Sequence, residues 1–199
     1  MISIFDKNNK LNEHRNSLDI TYPRRINIIF GHYPYPDILH NLIISVKNNI
    51  KEDMKNYTNV HGGMTDWKHF IGNPLFENFF TYLINKHQTT HPHIFEYFLE
   101  KNIVLDSWGN EIKKGDSLKP HHHPCYHGIL YMTKGCDLIL PELNIKITPS
   151  PGDYYIFPPH IMHGFDEVTD EETRYSLIFN IVEHQHFEFK RRINGRKNI

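Results

Sequence analysis

The fold is decided by a stretch that begins Lys119-Pro120-His121-His122-His123-Pro124, continues through Gly152-Asp153-Tyr154-Tyr155-Ile156-Phe157-Pro158-Pro159-His160-Ile161-Met162-His163 and ends Arg174-Tyr175-Ser176-Leu177-Ile178-Phe179-Asn180. Side chains alternate between the two faces of an extended strand, so His121 and His123 point the same way, as do Arg174 and Ser176. Two imidazoles at this spacing can chelate a metal, and His163 follows a turn and a run of aromatic residues. The stretch therefore predicts a metal site and an anion site inside one small β-barrel.

Short strand patterns surround this stretch. Apolar or alternating runs separated by turn residues occur at 103–111, 128–132, 137–140, 145–148, 154–157, 174–182 and 187–189. Regular short strands of this kind are typical of a sandwich or a barrel. We predict a mainly β protein with N-terminal helices, whose strands form a double-stranded β-helix of the jelly-roll, cupin-like type.

The helices are expected before residue 103. An apolar run at 26–30 predicts a strand, and apolar residues at helical spacing predict an amphipathic helix from Asp37 to about Asn49. Asn73-Pro74 predicts the start of a second helix, and 95–99 a third, short helical piece. We expect a single domain of 199 residues, in which 1–102 is an N-terminal strand and helices that pack on the barrel, 103–190 is the barrel core and 191–199 is a basic tail.

Composition narrows the class of protein. A formal net charge of -1 gives no general attraction to nucleic acid or to an anionic membrane. No stretch approaches the roughly 20 apolar residues of a membrane span, and residues 1–12 do not have the pattern of a secretion signal. Two cysteines, Cys125 and Cys136, are interpreted as reduced thiols, which favours a cytoplasmic location.

The chain has 16 histidines, so one His-x-His pair alone is weak evidence for a metal site. The pairs His91-x-His93 and His184-x-His186 have the same spacing but no matching third histidine in a barrel-like context. We interpret both pairs as surface or helix-start residues.

The anion site is predicted from Arg174. Three imidazoles on strands can hold one face of a metal and leave positions open, but imidazole suits iron, zinc, copper or nickel alike. A guanidinium inside a barrel is costly unless an anion meets it, and its planar fork matches a carboxylate. Ser176, one pleat further along the same face, can donate its hydroxyl to the same anion. A dicarboxylate that chelates the metal at one end and meets Arg174 at the other fits this combination.

Several further motifs follow the same order as those of a known family. They are Thr58-Asn59-Val60-His61-Gly62-Gly63-Met64, Ser107-Trp108-Gly109-Asn110, His121-His122-His123-Pro124, Gly128-Ile129-Leu130-Tyr131, Gly152-Asp153, Phe157-Pro158-Pro159, His163 and Arg174-Tyr175-Ser176-Leu177-Ile178-Phe179-Asn180. Together they resemble the iron(II)/2-oxoglutarate-dependent oxygenases related to prolyl hydroxylases, which occur in bacteria and in their large tailed phages.

The resemblance implies a double-stranded β-helix dioxygenase that hydroxylates a C–H bond. It implies that His121 and His163 bind iron(II) and that Arg174, assisted by Ser176, binds the distal carboxylate of 2-oxoglutarate. Asn110 and Tyr131 are candidates for reaching the co-substrate or the oxygen side, so the candidate cofactor-binding residues are Arg174, Ser176, Asn110 and Tyr131. The expected substrate is a prolyl or other protein side chain, with a small molecule as the alternative. For the oligomeric state, a homodimer is one of the possibilities.

One position departs from the family. The wider superfamily has Asp or Glu where this chain has His123. We predict His123 as the third ligand, which makes the iron site one charge more positive than a site with two histidines and a carboxylate. The alternatives are that Asp166 or His122 completes the shell.

Two other classes of protein compete with this interpretation. The spacing from Gly115 through His121-x-His123 to Gly152, Pro158 and His163 also fits the two cupin motifs, which would bind metal without 2-oxoglutarate. Against a cupin, His127 stands where cupins have glutamate, and Arg174-x-Ser176 has no cupin counterpart. The other class is a metal-free structural β-domain, in which Arg174 would pair with an acidic residue among 170–172.

Trp108 is either core or a substrate platform, and 62–68 and 113–119 are candidate loops at the mouth of the barrel.

Overall fold

Two antiparallel sheets carry the fold in the computed structural model, which describes residues 2–5, 25–51, 54, 59–92, 95, 104–134 and 136–181. The strands are β1 (Ile2–Phe5), β2 (Arg25–His32), β3 (Val60–His61), β4 (Gly63–Met64), β5 (Val104–Ile112), β6 (Ser117–His121), β7 (Tyr126–Tyr131), β8 (Leu138–Leu140), β9 (Ile145–Ile147), β10 (Asp153–Phe157), β11 (His163–Phe165) and β12 (Arg174–Ile181). The helices are α1 (Pro36–Lys47) and α2 (Pro74–His87).

Within the described part of the chain, the larger sheet has the strand order β1-β2-β10-β7-β12-β5-β4, and the smaller sheet has the order β3-β6-β11-β8-β9. Strands from before residue 103 thus belong to both sheets, because β2 pairs with β10 and β3 pairs with β6. The basic tail, the predicted strand at 187–189, and His93, His184 and His186 lie outside the described residues.

Alternation along each strand separates a helix-covered face from the barrel interior. Leu177 and Phe179 of β12 belong to the core cluster that contains the buried residues of α1 and α2. Ile178 belongs instead to the second cluster, with Trp108 of β5 and Tyr131 of β7. Arg174 and Ser176 lie an even number of residues from Ile178, so the interior face of β12 carries the predicted anion residues.

The helices form where their caps and apolar stripes predict them. The Asn73 side chain accepts a hydrogen bond from the Leu75 backbone N–H at 2.9 Å, which satisfies a donor that the first turn of α2 leaves free. Helix α1 begins at Pro36 and buries Leu39, Leu42 and Val46. Among the described residues, no helix combines the length and the apolar character that a membrane crossing requires.

Both predicted mouth loops are partly strand. Ser117–His121 forms β6, so only 113–116 is a turn, and Gly63–Met64 forms β4 within the predicted loop 62–68. Sequence reasoning missed these strands because Leu118 is the one strongly apolar residue of β6 and because β4 has two residues, too few for an alternating pattern. The pairing of β6 with β11 places His121 directly opposite His163.

Candidate metal centre

The three predicted ligand histidines meet at one end of the barrel. His121 ends β6 and His163 begins β11, and the two are directly paired across the smaller sheet. His123 follows two residues after β6, and its Nε2 lies 3.1 Å from His121 Nε2. One nitrogen from each of the three rings lies within 4.8 Å of the other two. This spacing suits a single ion bound by three imidazoles.

Backbone carbonyls orient two of the three rings. His121 Nδ1 lies 3.1 Å from the Lys119 carbonyl oxygen, and His163 Nδ1 lies 3.0 Å from the Ile161 carbonyl oxygen. A carbonyl only accepts, so each Nδ1 carries the proton and each Nε2 keeps its lone pair for a ligand bond. His163 Nε2 is buried and has no hydrogen-bond partner among the described residues.

The rings are held neutral, which is the form that binds metal. Burial, followed by the neighbouring His121, lowers the pKa of His163 to about 4. Burial also lowers the pKa of His123 to about 3, again with a contribution from the neighbouring imidazoles. Burial lowers the pKa of His121 as well. A metal therefore does not have to displace protons from this site at neutral pH.

Arg174 is buried deeper in the same interior. Its side chain is 3% exposed, and its guanidinium lies 4.2 Å from the centre of the Phe165 ring. Nη1 donates to the Cys136 carbonyl oxygen at 3.2 Å and to Cys136 Sγ at 2.7 Å. No acidic side chain pairs with Arg174 in the described part of the chain, and Glu171 instead pairs with Lys114. Among the described residues, the buried charge of Arg174 thus has no counter-ion.

Unpaired buried polar atoms connect Arg174 with the histidines. The described atoms without a hydrogen-bond partner are Arg174 Nε, Ser176 Oγ, Asn110 Oδ1, Trp108 Nε1 and His163 Nε2. Ser176 pairs with Asn110 on β5 and with Tyr131 on β7, and Ile178 pairs with Trp108. The unpaired atoms therefore follow the interior face from the arginine toward the metal end. Buried polar groups without partners are rare in proteins, and a row of them fits a polar ligand that spans the interior.

The other cofactor candidates lie along this row. Tyr131 is fully buried, and its ring centre lies 5.6 Å from the Arg174 guanidinium carbon. Burial raises the pKa of the Tyr131 hydroxyl. Trp108 packs edge-on against Trp67 with ring centres 4.6 Å apart, so it is a core residue with its N–H turned to the interior.

The alternative ligands do not share the position where the three histidines meet. Asp166 is exposed and lines an outer cavity with Cys136, Asp137 and Lys146. His122 is exposed, and its ring lies 5.3 Å from that of His160. Neither side chain belongs to the group of three that the described residues bring within ligand distance of one ion.

His127 is the residue whose position the sequence did not reveal. Its ring is buried and lies face to face with that of His123, at 3.8 Å between centres and 11° between planes. Its Nδ1 lies 2.9 Å from Asn180 Oδ1. The signal was present in the sequence, because His127, Ile129 and Tyr131 alternate on one face of β7, but periodicity does not show which histidine that face meets.

No protein-family model and no curated protein matches the sequence. Solved structures do match. The viral collagen prolyl hydroxylase vCPH from Paramecium Bursaria Chlorella virus-1, in its 2OG complex, is 12% identical with a TM-score of 0.60, over 78% of this chain and 94% of that chain. A prolyl-4-hydroxylase from Pseudomonas putida is 10% identical with a TM-score of 0.57, over 80% of this chain and 94% of that chain. HygX from Streptomyces hygroscopicus, with nickel and 2-oxoglutarate bound, is 10% identical with a TM-score of 0.59, over 80% of this chain and 84% of that chain. The likeness confirms the predicted double-stranded β-helix.

Proposed function

We propose that this chain is a non-haem iron(II)- and 2-oxoglutarate-dependent dioxygenase that hydroxylates a C–H bond. The observation that carries the proposal is the row of unpaired buried polar atoms between Arg174 and His163. Support for the reaction class comes from the fold shared with prolyl hydroxylases, one of them in a 2OG complex, and with HygX, which has nickel and 2-oxoglutarate bound.

Each residue of the row has a role in this proposal. His121, His123 and His163 hold iron(II) through Nε2. Nη1 of Arg174 is already bonded to Cys136, so the edge with the unpaired Nε faces the distal carboxylate of 2-oxoglutarate. Ser176 donates its hydroxyl to the same carboxylate, while Asn110 and Trp108 line the co-substrate between its two ends. Tyr131 packs beside the guanidinium and excludes water there.

With iron and co-substrate bound, such a site oxidises substrate R–H with O₂ to R–OH, while 2-oxoglutarate is converted to succinate and CO₂. The protein contributes placement, because the anion site fixes one end of 2-oxoglutarate and the three imidazoles fix the other. Three neutral ligands leave the bound ion its full double positive charge.

The substrate is proposed to be a prolyl or other side chain of a protein. The metal end of the barrel is the accessible end, since His121 and His123 are only partly buried whereas Arg174 is 3% exposed. A side chain on a peptide can approach that end from outside while 2-oxoglutarate occupies the closed end. Two of the matching structures are prolyl hydroxylases, which is why a prolyl residue is the first candidate and a small molecule the alternative. We propose a cytoplasmic location, where Cys125 and Cys136, neither of which forms a disulfide in the structure, stay reduced.

Anaerobic titration with iron(II) and 2-oxoglutarate tests the proposal. We expect a visible absorption band from co-substrate bound to the metal, and succinate release when O₂ and an accepted peptide are added. Arg174→Ala removes the partner of a buried charge pair, so 2-oxoglutarate should bind about 100-fold more weakly or worse.

Tyr175→Phe is the matched control, because Tyr175 lies on the opposite face of β12, where its hydroxyl donates to Glu111 Oε2 at 2.7 Å. Its affinity for 2-oxoglutarate should equal that of the wild type. Metal binding with no affinity for 2-oxoglutarate would favour the cupin-type alternative. A protein that binds no metal would instead be a structural β-domain.

A further inference from the structure

Asp106, Asn180, His127 and Phe157 form a row of side chains behind the three-imidazole site. Asn180 of β12 pairs directly with Asp106 of β5 on one side and with His127 of β7 on the other. His127 in turn pairs with Phe157 of β10. Directly paired residues point to the same side of a sheet, so these four side chains lie next to one another across four neighbouring strands.

The first three side chains of this row orient one another. A side-chain hydrogen bond from Asn180 reaches the Asp106 carboxylate, which only accepts. Asn180 therefore turns its NH₂ group to Asp106 and its Oδ1 to His127, where Nδ1 lies at 2.9 Å. Because Oδ1 only accepts, His127 Nδ1 carries the proton, and both the tautomer and the ring plane of His127 are fixed.

His127 meets the triad with its ring face. Its closest stacking contact is with His123, at 3.8 Å and 11°, and it also stacks on His163 at 4.8 Å and 22°. Phe157 stacks on His163 as well, at 5.5 Å and 7°. Among the described residues, one nitrogen each from His121, His123 and His163 lies within 4.8 Å of the other two. No nitrogen of His127 belongs to this group. An imidazole binds metal through a lone pair in its ring plane, so a face-to-face contact supports a ligand and does not add one.

His123 is the ligand that needs this support. His121 and His163 each donate Nδ1–H to a backbone carbonyl, at 3.1 and 3.0 Å. No such bond from His123 Nδ1 occurs among the described residues, and its recorded hydrogen-bond contact is the one to His121. The broad face of the ring is held by His127 instead.

We propose that His127, oriented by Asn180 and Asp106, is the positioning residue that holds His123 in the metal-binding orientation. This inference rests on the proposed function insofar as it assumes that the triad binds a metal. His127 would thus orient a metal ligand without binding the metal. It would do so by stacking on the ring face of His123 and not by a hydrogen bond to a ring nitrogen. Loss of outer groups that orient a ligand by hydrogen bonds weakens metal binding about 10- to 100-fold, and we expect a loss in the same range when the stacked ring is removed.

Cobalt(II) binding to the full chain tests the assignment. Two variants separate support from ligation, because His127→Phe keeps a flat ring but no nitrogen, and His127→Ala keeps neither. We expect His127→Phe to bind cobalt(II) within about threefold of wild type and His127→Ala to lose about 10- to 100-fold. X-ray absorption should count the same number of imidazole ligands in wild type and in His127→Phe. His122→Ala, an exposed neighbour of the triad, is the matched control and should bind as the wild type does.

A second set of variants tests the hydrogen bond between Asn180 and His127. Asn180→Leu removes the same bond that His127→Phe removes, so on its own it should weaken cobalt(II) binding by a similar factor of at most about threefold. Made together with His127→Phe, it should add nothing further, since a phenyl ring has no bond to Asn180 to lose. Thermal unfolding followed by circular dichroism shows whether each variant is folded before affinities are compared.

The possible results are distinct. A loss in His127→Phe as large as that in His127→Ala, with one imidazole fewer in the absorption spectrum, would make His127 a ligand and overturn its assignment as support. That result would leave the proposed function standing, because wild type would still bind metal and 2-oxoglutarate. If wild type bound no cobalt(II), both proposals would fail.

Discussion

The thiol of Cys136 lies beside the buried guanidinium of Arg174, where it can affect how the proposed co-substrate binds. Cys136 accepts from Arg174 Nη1 through both its carbonyl oxygen and its Sγ, at 3.2 and 2.7 Å. The two bonds to Nη1 fix the orientation of the guanidinium, and they leave its Nε available to an anion. Burial raises the pKa of the Cys136 thiol, so the group acts as a neutral acceptor.

Cys136→Ala removes Sγ as an acceptor but keeps the backbone carbonyl. Hydrogen bonds to charged groups contribute about 1.5–3 kcal/mol, and the carbonyl retains part of that here, so we expect about tenfold weaker binding of 2-oxoglutarate. The measurement is calorimetric titration of the nickel(II)-loaded protein. Cys125→Ala is the matched control, and equal affinities in the two variants would contradict a role for Cys136 in holding Arg174.

Residue types and spacing predicted that His121, His123 and His163 come together and that Arg174 and Ser176 share one face of a strand. Alternation along β12 accounts for the Arg-x-Ser pair, whereas His123 lies two residues beyond the end of β6, so its position does not follow from strand alternation. The row Asp106, Asn180, His127 and Phe157 was not legible in this way. Its members come from four strands, and their adjacency depends on the registers between those strands. Such registers are set by turns and by packing on the other face, which a single sequence does not display.

At the scale of elements, helix α2 and the larger sheet meet through a cluster of aromatic rings. The ring of Phe179 on β12 lies 5.9 Å from Phe76, 6.0 Å from Phe79 and 6.0 Å from Phe80, all on α2. Gly128 on the neighbouring strand makes room for this ring, since a Cβ there would lie 2.0 Å from Phe179 Cζ. The outer face of the sheet thereby holds β12 firmly while its inner face carries Arg174 and Ser176.

Gly128→Ala should therefore destabilise the fold. The added methyl group forces Phe179 out of its place among the α2 rings, and overpacking of this kind costs about 1–3 kcal/mol. Urea unfolding followed by circular dichroism measures the change in the free energy of unfolding. Adding Phe179→Leu to Gly128→Ala should recover part of the loss. If Gly128→Ala were as stable as wild type, the close contact would not constrain the packing.

At the scale of the whole molecule, buried imidazoles link global stability to pH. His87 of α2 is 9% exposed, and its Nε2 lies 2.7 Å from the Tyr154 hydroxyl of β10. Burial, followed by the neighbouring His91, lowers its pKa from 6.5 to about 4. Between these values the unfolded chain binds a proton that the folded chain does not. The free energy of unfolding consequently falls as the pH drops from 6.5 to about 4.

Comparing wild type with His87→Leu isolates this contribution. The full shift corresponds to roughly 3 kcal/mol, so wild type should lose up to that much more stability than the variant across the window. Urea unfolding at several pH values between 7 and 4 measures both slopes in the absence of metal. Parallel slopes for the two proteins would mean that His87 is protonated alike in the folded and unfolded chains.

The place of β12 in the larger sheet affects how this molecule can be made. β12 lies between β7 and β5, and every strand it joins comes earlier in the chain. Until it emerges from the ribosome, the growing chain holds two separate sheet fragments, each with an unpaired edge facing water. We therefore expect a polypeptide truncated before residue 174 to aggregate or to bind chaperones.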